Sequence, residues 1–478
     1  MAVGRRVIAV LAVGVLALAV AGAAAPRGAS ITTEDVNLPM TDKVVLKGTL
    51  YTPAGSPPAG GWPALVLFHG LGGKRQDLDA IAQHFASTFV VLTFDARGHG
   101  QSGGLTSIDG PREIQDAHTV FDWLTTKSGA GVDPQKIGAW GISLGGGAVL
   151  RSLVDGVPWA AVETVETWTD LYSALAPQNL SKSGAIYQFL NSVPQDHIDP
   201  SVLAIKDDAL ASTNLGVLKD FAAQRSSRAS LAQVHTPVLL FQGRRDFAFD
   251  ISQATAGYRL LKGPKELYVG DFGHSPSTFP GPDLNEVLAV GGAWFKRWLG
   301  RPTPGKPPPA ILVSPDPWRG KARVFKSLPA TRPYKHVFGG TNTLTGIGKA
   351  TRTTGKLRAP LETFGAARVS VTAKLAGGWS RVVAVLTART PKRKTIVVSE
   401  GGVNTASLTG KHALTIRLLD VATLIPRGSK LTLTLASSST AQDPGNLLYL
   451  DLPMPPTAKV SLGPALLKMP VLSTPISR

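Results

Sequence analysis

The sequence predicts an α/β domain, its mostly parallel sheet covered by helices on both faces, followed by an all-β sandwich. Three observations carry this. Between residues 35 and 300, short β-branched runs alternate with stretches of three- and four-residue apolar spacing, the pattern of strands joined by crossover helices. Beyond residue 310 the helical spacing gives way to short, often alternating runs separated by Gly, Pro, Ser and Asn, as in sandwiches. Between them, Arg301 to Pro309 holds five prolines in nine residues, a semi-rigid spacer.

In the first part the strand candidates are Val44–Tyr51, Ala64–Phe68, Phe89–Phe94, Ile137–Trp140, Ala161–Val165, Val238–Phe241 and Glu266–Val269. The interior ones are near-continuous apolar runs, as strands buried on both faces require. Ile81–Phe85, Ile114–Leu124, Gly145–Val154 and Leu284–Leu299 carry helical spacing. About seventy residues separate Val165 from Val238, far beyond the ~2–6 of a simple connection, so a helical cap is expected over about 168–234. In the second part the β-type runs are Arg368–Leu375, Arg381–Thr387, Thr395–Ser399, Leu414–Leu419, Leu431–Leu435 and Leu447–Leu452. The expected division is therefore a leader at 1–25, an α/β domain at 31–300 with a cap over about 168–234, a linker at 301–309 and a sandwich at 310–478.

With 478 residues, 43% apolar and 17% charged, the chain is globular, with no sign of disorder or of many membrane spans. It has no cysteine, which excludes disulfides, thiolate metal sites and thiol catalysis. Arg5 and Arg6, an apolar run from Val7 to Val20 and the small residues Ala21 to Ala25 make a secretory signal, and the protein is expected to be secreted or associated with the cell envelope. The route, Sec or twin-arginine, stays open, as does an uncleaved anchor. The net charge of +18 is uneven: residues 301–478 hold 26 Lys and Arg against six Asp and Glu, and residues 1–300 hold 24 against 26. The basic part is expected to meet an anionic envelope surface or to serve as a solubilising shell; nucleic acid is disfavoured because no aromatic-basic motif is present.

Chemistry is concentrated at strand ends. Gly141-Ile142-Ser143-Leu144-Gly145 is G-x-S-x-G between an apolar strand and a helix, the context of a nucleophile elbow. It exposes Ser143 and leaves the Leu144 N–H free for an oxyanion. His69-Gly70-Leu71-Gly72-Gly73 follows another strand and offers the Leu71 N–H as the second donor. His69 is read as a residue that orients this loop. A serine nucleophile needs an imidazole and a carboxylate. Asp246 and His274 follow consecutive strands in the order serine, acid, histidine, and Asp250 and Asp271 compete for the acid. Asp95, Arg97 and His99 are read as a loop brace, and Arg112, Glu113 and Asp116 as structural.

Together these motifs resemble the α/β-hydrolase superfamily over residues 35–300. The resemblance implies the α/β-hydrolase fold, with Ser143 as nucleophile, Asp246 as acid, His274 as base and the Leu71 and Leu144 amides as oxyanion hole. With a basic sandwich following, in which Val397–Gly402 and Leu431–Leu435 are suggestive of a jelly roll, the chain is similar to the cocaine-esterase and X-Pro dipeptidyl-peptidase group. That group commonly has a Pro-Tyr-Gly-type loop supplying a tyrosine hydroxyl, where this chain has Leu71-Gly72-Gly73. The expectation is a serine esterase needing no metal or organic cofactor, with a small-molecule or polymeric ester as substrate. An X-Pro-type peptidase, which would need a cap carboxylate such as Asp196, Asp199, Asp207 or Asp208, and a non-catalytic envelope-binding protein are the alternatives.

Overall fold

A computed structural model describes residues 31–300, 310–439 and 448–477. The leader expected at 1–25 and the linker at 301–309 lie outside the described residues. No helix among the described residues is long and apolar enough to cross a membrane.

The first part is built on one ten-stranded sheet. Its strands are β1 (Thr32–Pro39), β2 (Val45–Thr52), β3 (Trp62–Phe68), β4 (Val90–Phe94), β5 (Val132–Ile142), β6 (Ala161–Val165), β7 (Val238–Gly243), β8 (Lys265–Gly270), β9 (Ala310–Val313) and β10 (Arg323–Phe325). They lie in the order β1-β2-β4-β3-β5-β6-β7-β8-β9-β10. The pairs from β4 through β9 are parallel, and β1, β2 and β10 pair antiparallel at the edges. The interior strands are apolar throughout because helices cover both faces. On one face α2 (Pro111–Thr126), α3 (Leu144–Val154) and α9 (Ile251–Leu260) bury Val120, Val149 and Ala254 against Val66, Ala139 and Leu240. On the other, α1 (Asp79–Phe85) and α10 (Leu284–Leu299) bury Phe85 and Phe295 against Leu65, Leu67 and Leu239.

The insertion between β6 and β7 folds as a cap of short helices, α4 (Leu171–Leu175), α5 (Ser183–Leu190), α6 (Pro200–Ala204), α7 (Lys206–Ala211) and α8 (Leu215–Ala223). Ile186, Leu190, Val193 and Val202 form its own small core.

The sandwich begins later than expected. Residues 310–325 do not open it; β9 pairs in parallel with β8 and β10 folds back on β9, so they extend the first sheet. The run Ala310-Ile311-Leu312-Val313 satisfies either sheet as a pattern, and only pairing decides between them. The sandwich strands are β11 (Thr331–Phe338), β12 (Asn342–Thr345), β13 (Lys349–Lys356), β14 (Leu361–Glu362), β15 (Gly365–Ala376), β16 (Arg381–Arg389), β17 (Thr395–Asn404), β18 (Gly410–Val421), β19 (Leu424–Ile425), β20 (Lys430–Ala436) and β21 (Lys459–Leu472). One sheet runs β11-β21-β15-β18 with β12 also on β21, and the other runs β13-β20-β16-β17. Val369, Val371, Leu386, Leu433 and Trp379 fill the layer between them. The strand expected around 447–452 is absent from its described part, 448–452. There Leu448 and Tyr449 pack on Leu180, Ala185 and Phe247, and the Leu448 carbonyl accepts from Gly184 N at 3.0 Å. Contact with the cap and the acid loop wins over sheet pairing.

One buried carboxyl sits in the middle of the large sheet. Glu163 of β6 accepts from Trp140 Nε1 at 2.8 Å, and burial pushes its carboxyl up to about 8. The folded state therefore holds a proton there from the ordinary value of 4.5 up to about 8, and stability falls as pH rises through that window. Glu163→Gln keeps an acceptor for Trp140 and removes the ionisation. Thermal melts are expected to show the variant stabilised at pH 9 relative to the parent and nearly equal to it at pH 5; parallel melting curves across this range would contradict the assignment.

Candidate active site

Five loops meet at the carboxyl ends of β3, β5, β6, β7 and β8, next to the point where strand order reverses between β3 and β5, the place where open α/β sheets bind ligands. β5 ends at Ile142 and α3 starts at Leu144, leaving Ser143 alone to make the turn with φ 53° and ψ −116°. A side chain at φ above zero is strained. Neighbours hold it there: Ser143 N donates to the Val165 carbonyl at 2.9 Å, and Thr167 Oγ1 donates to the Ser143 carbonyl at 2.8 Å. The flanking glycines are sterically required. A Cβ on Gly141 would lie 2.2 Å from the Gly145 carbonyl oxygen, and one on Gly145 would lie 2.2 Å from that of Phe68.

Ser143 Oγ is 3.0 Å from His274 Nε2, and His274 Nδ1 is 2.8 Å from Asp246 Oδ2. Asp246 is fully buried, and its other oxygen accepts from the N–H groups of Ala248 at 2.9 Å and Phe249 at 2.8 Å. The His274 N–H donates to Asp246 Oδ2 at 3.1 Å, so ring and backbone are tied to one carboxylate. Since Asp246 accepts at Nδ1, the neutral ring carries its proton there and presents Nε2 as a base toward the serine. The two competing acids are engaged elsewhere: Asp250 caps α9 through Ser252 N at 3.0 Å, and Asp271 faces Arg244 at 3.6 Å.

The His69 loop lies against the serine, with the Cβ direction of Gly70 pointing to Ser143 Cβ at 3.5 Å. His69 Nδ1 meets the Gly70 carbonyl at 2.7 Å, and Nε2 accepts from Ala96 N at 2.9 Å, as a loop-orienting ring does. Burial holds it below the usual histidine range. Leu71 and Leu144 both border the cavity beside Ser143, and the Leu144 N–H, first in its helix, has no carbonyl one turn earlier to bond. Asp95 braces Arg75 at 2.5 Å, and Arg97 bridges Asp116 at 2.6 Å and Asp42 at 2.8 Å. The cavity, about 110 Å³, is walled by Leu71, Ile108, Trp168, Leu175, Phe189 and Phe249.

The sequence reading did not include three features. Phe189 from the cap and Phe249 set their ring centroids 5.8 and 5.1 Å from that of His274 and shield it. Lys182 is buried in the cap, donates to the Phe247 and Ala248 carbonyls at 2.8 Å each, and is pushed by burial down to about 8. Glu166, one residue past β6 and at φ 42°, brings a carboxylate oxygen within 4.8 Å of both His274 and Asp246. Among the described residues these three form the one cluster of metal-ligand type, and the Asp246 oxygens are already taken by N–H donors. Glu166 follows a strand end as the other site residues do, so its position was legible; its turn toward the imidazole was not. Burial raises Glu166 to about 8. For His274 burial pulls downward, but Asp246 and Glu166 outweigh it and raise the ring to about 9, against a smaller opposing push from Lys182.

The X-Pro dipeptidyl-peptidase (S15 family) model matches residues 42–276. The quorum-quenching protein AidA of Acinetobacter baumannii is 35% identical over 124 residues, which cover 24% of this chain and 39% of that protein. Among solved structures, a CocE/NonD family hydrolase from Staphylococcus aureus aligns with a TM-score of 0.69 at 14% identity, over 92% of this chain and 94% of its own. An α-amino acid ester hydrolase aligns at 0.63 and 15% identity, over 94% and 98%. Fold and strand-end loops thus define an α/β-hydrolase. The chain has the α/β-hydrolase fold, is similar to the X-Pro dipeptidyl-peptidase (S15) family over residues 42–276, and shares its fold with the CocE/NonD hydrolase over both parts.

The charge arrangement makes a measurable prediction. A negative group within ~4–6 Å raises a histidine by about one unit or more, so Glu166→Gln is expected to lower the His274 value by at least that much. NMR titration of the His274 ring reads it directly; an unmoved midpoint would show that Glu166 does not reach the ring electrostatically.

Proposed function

We propose that this protein is a serine hydrolase that cleaves carboxylic esters with apolar acyl groups. The observation that carries the reading is the hydrogen-bonded line Ser143–His274–Asp246, mounted on a strained elbow that opens into an apolar cavity. In the proposed reaction the neutral form of His274, whose share grows as pH rises toward about 9, takes the Ser143 proton at Nε2 as Oγ attacks the ester carbonyl, and the tetrahedral oxyanion is held by the Leu71 and Leu144 N–H groups. Asp246 keeps the ring in the productive tautomer and stabilises the imidazolium, which then protonates the leaving alcohol. Water, activated by the same ring, frees the acyl group. These steps use protein groups alone and call on no metal or organic cofactor. A place of action outside the cytoplasm is part of the proposal, supported by the leader-like residues 1–25.

The preference for esters over X-Pro peptides rests on the cavity. Its walls include no carboxylate among the described residues, so a substrate ammonium would be desolvated there without a counter-charge. The loop Leu71-Gly72-Gly73 also offers only backbone donors, which suits the easier ester chemistry.

Ser143→Ala is expected to reduce turnover of p-nitrophenyl acyl esters by a factor on the order of 10⁴ or more and to abolish labelling by a fluorophosphonate. The parent is expected to favour acyl esters over dipeptide anilides. Undiminished hydrolysis by the pure variant would remove Ser143 as nucleophile, and faster anilide cleavage would replace the esterase reading with the peptidase one.

A further inference from the structure

The outer face of the sheet formed by β11, β21, β15 and β18 carries a line of four positive charges, three of which face no carboxylate among the described residues. Residues directly opposite on antiparallel strands point to the same face. Lys335 of β11 lies opposite Lys468 of β21, Lys468 opposite Arg368 of β15, and Arg368 opposite Arg417 of β18. Strands are ~4.8 Å apart, so the four cations form a row about 15 Å long across the sheet. A second pair, Lys374 and Lys411, lies opposite one another further along β15 and β18. Lys335, Lys468, Arg368, Lys374 and Lys411 are exposed, and among the described residues none of these five has a carboxylate within ion-pair distance. The nearby carboxylate on this face, Asp420, is paired with Arg417. Hydroxyls stand between the cations, Ser370 being 3.4 Å from Thr415.

Like charges set directly opposite one another oppose strand pairing. An arrangement that repeats the repulsion across three strands while the face stays solvent-exposed is suited to an external counter-charge. We infer that this face binds a linear, phosphate-bearing polyanion laid along the row. Lys and Arg donors interleaved with Ser and Thr hydroxyls match phosphate oxygens. A lipid surface fits less well: the exposed large apolar side chain on these strands is the single Val337, and among the described residues the sandwich has no helix to insert an apolar face. Nucleic acid fits less well too, because Tyr334 and Phe338 of β11 turn inward to the sandwich core, leaving no ring on the face to stack bases. The inference does not depend on the catalytic reading.

The test uses the full chain and inorganic polyphosphate of defined length, titrated calorimetrically at several salt concentrations. Binding is expected to weaken steeply with salt. The triple reversal Lys335→Glu, Arg368→Glu, Lys468→Glu is expected to weaken it tenfold or more, with melting and ester turnover unchanged. Should that variant misfold, the triple replacement by Gln is expected to give a several-fold loss. Reversing Lys392, Arg393 and Lys394, exposed on the β16–β17 turn, is expected to leave affinity within about twofold. The inference is overturned by absence of binding, by equal losses in the two reversals, or by tighter binding to anionic phospholipid vesicles or duplex DNA at matched phosphate concentration.

Discussion

The close approach of the β5–α3 turn to the end of β3 is the constraint on which the site depends. Backbone carbonyls of Phe68 and Gly145 sit where Cβ atoms would otherwise be, so β3, β5 and α3 pack with main chain against main chain. That contact forces Ser143 into a positive φ, brings the Gly70 loop to the serine and sets the first N–H of α3 beside it. Strain of this kind is of order 1–3 kcal/mol and persists only where the surroundings over-determine it. Here the surroundings are the buried strands on either side and the Val165 and Thr167 hydrogen bonds.

Around His274 electrostatics governs. The imidazole lies under Phe189 and Phe249, where burial alone would disfavour its charged form, yet Asp246 and Glu166 on one side more than offset this. Lys182, with its ammonium against the Phe247 and Ala248 carbonyls, ties the cap to the loop that presents Asp246. Cap and acid loop are thus mechanically joined, and the cap helix that begins right after Lys182 also covers the histidine through Phe189.

The sandwich bears on this region too. Ala422 N donates to the Arg244 carbonyl at 2.9 Å, Arg245 donates to the Val397 carbonyl at 2.8 Å, and Asp420 N donates to Asp250 at 3.0 Å. These contacts bracket Asp246 from both sides in sequence. Leu180 and Phe247 share an apolar cluster with Val383, Val385 and Leu419, so cap, acid loop and sandwich close around one core. Gln178 of the cap, donating to the Thr415 carbonyl at 2.7 Å, also occupies the edge of β18, which would otherwise offer unpaired backbone groups.

What the sequence determined by itself was whatever is local. Strand runs such as Ala64–Phe68 and Val238–Phe241, the elbow glycines around Ser143, and the placement of Asp246 and His274 one loop beyond consecutive strands follow from periodicity and steric demand within a few residues. The tertiary structure decided what depends on neighbours far apart in the chain. Ala310–Val313 joined the first sheet because β8 offered a parallel edge; Leu448 and Tyr449 left the sandwich for the cap; and Glu166, one residue past a strand like the others, became part of the site because its carboxylate turned toward His274. Short apolar runs and single charges carry no record of their partner, and burial, pairing and pKa are properties of the partner as much as of the residue.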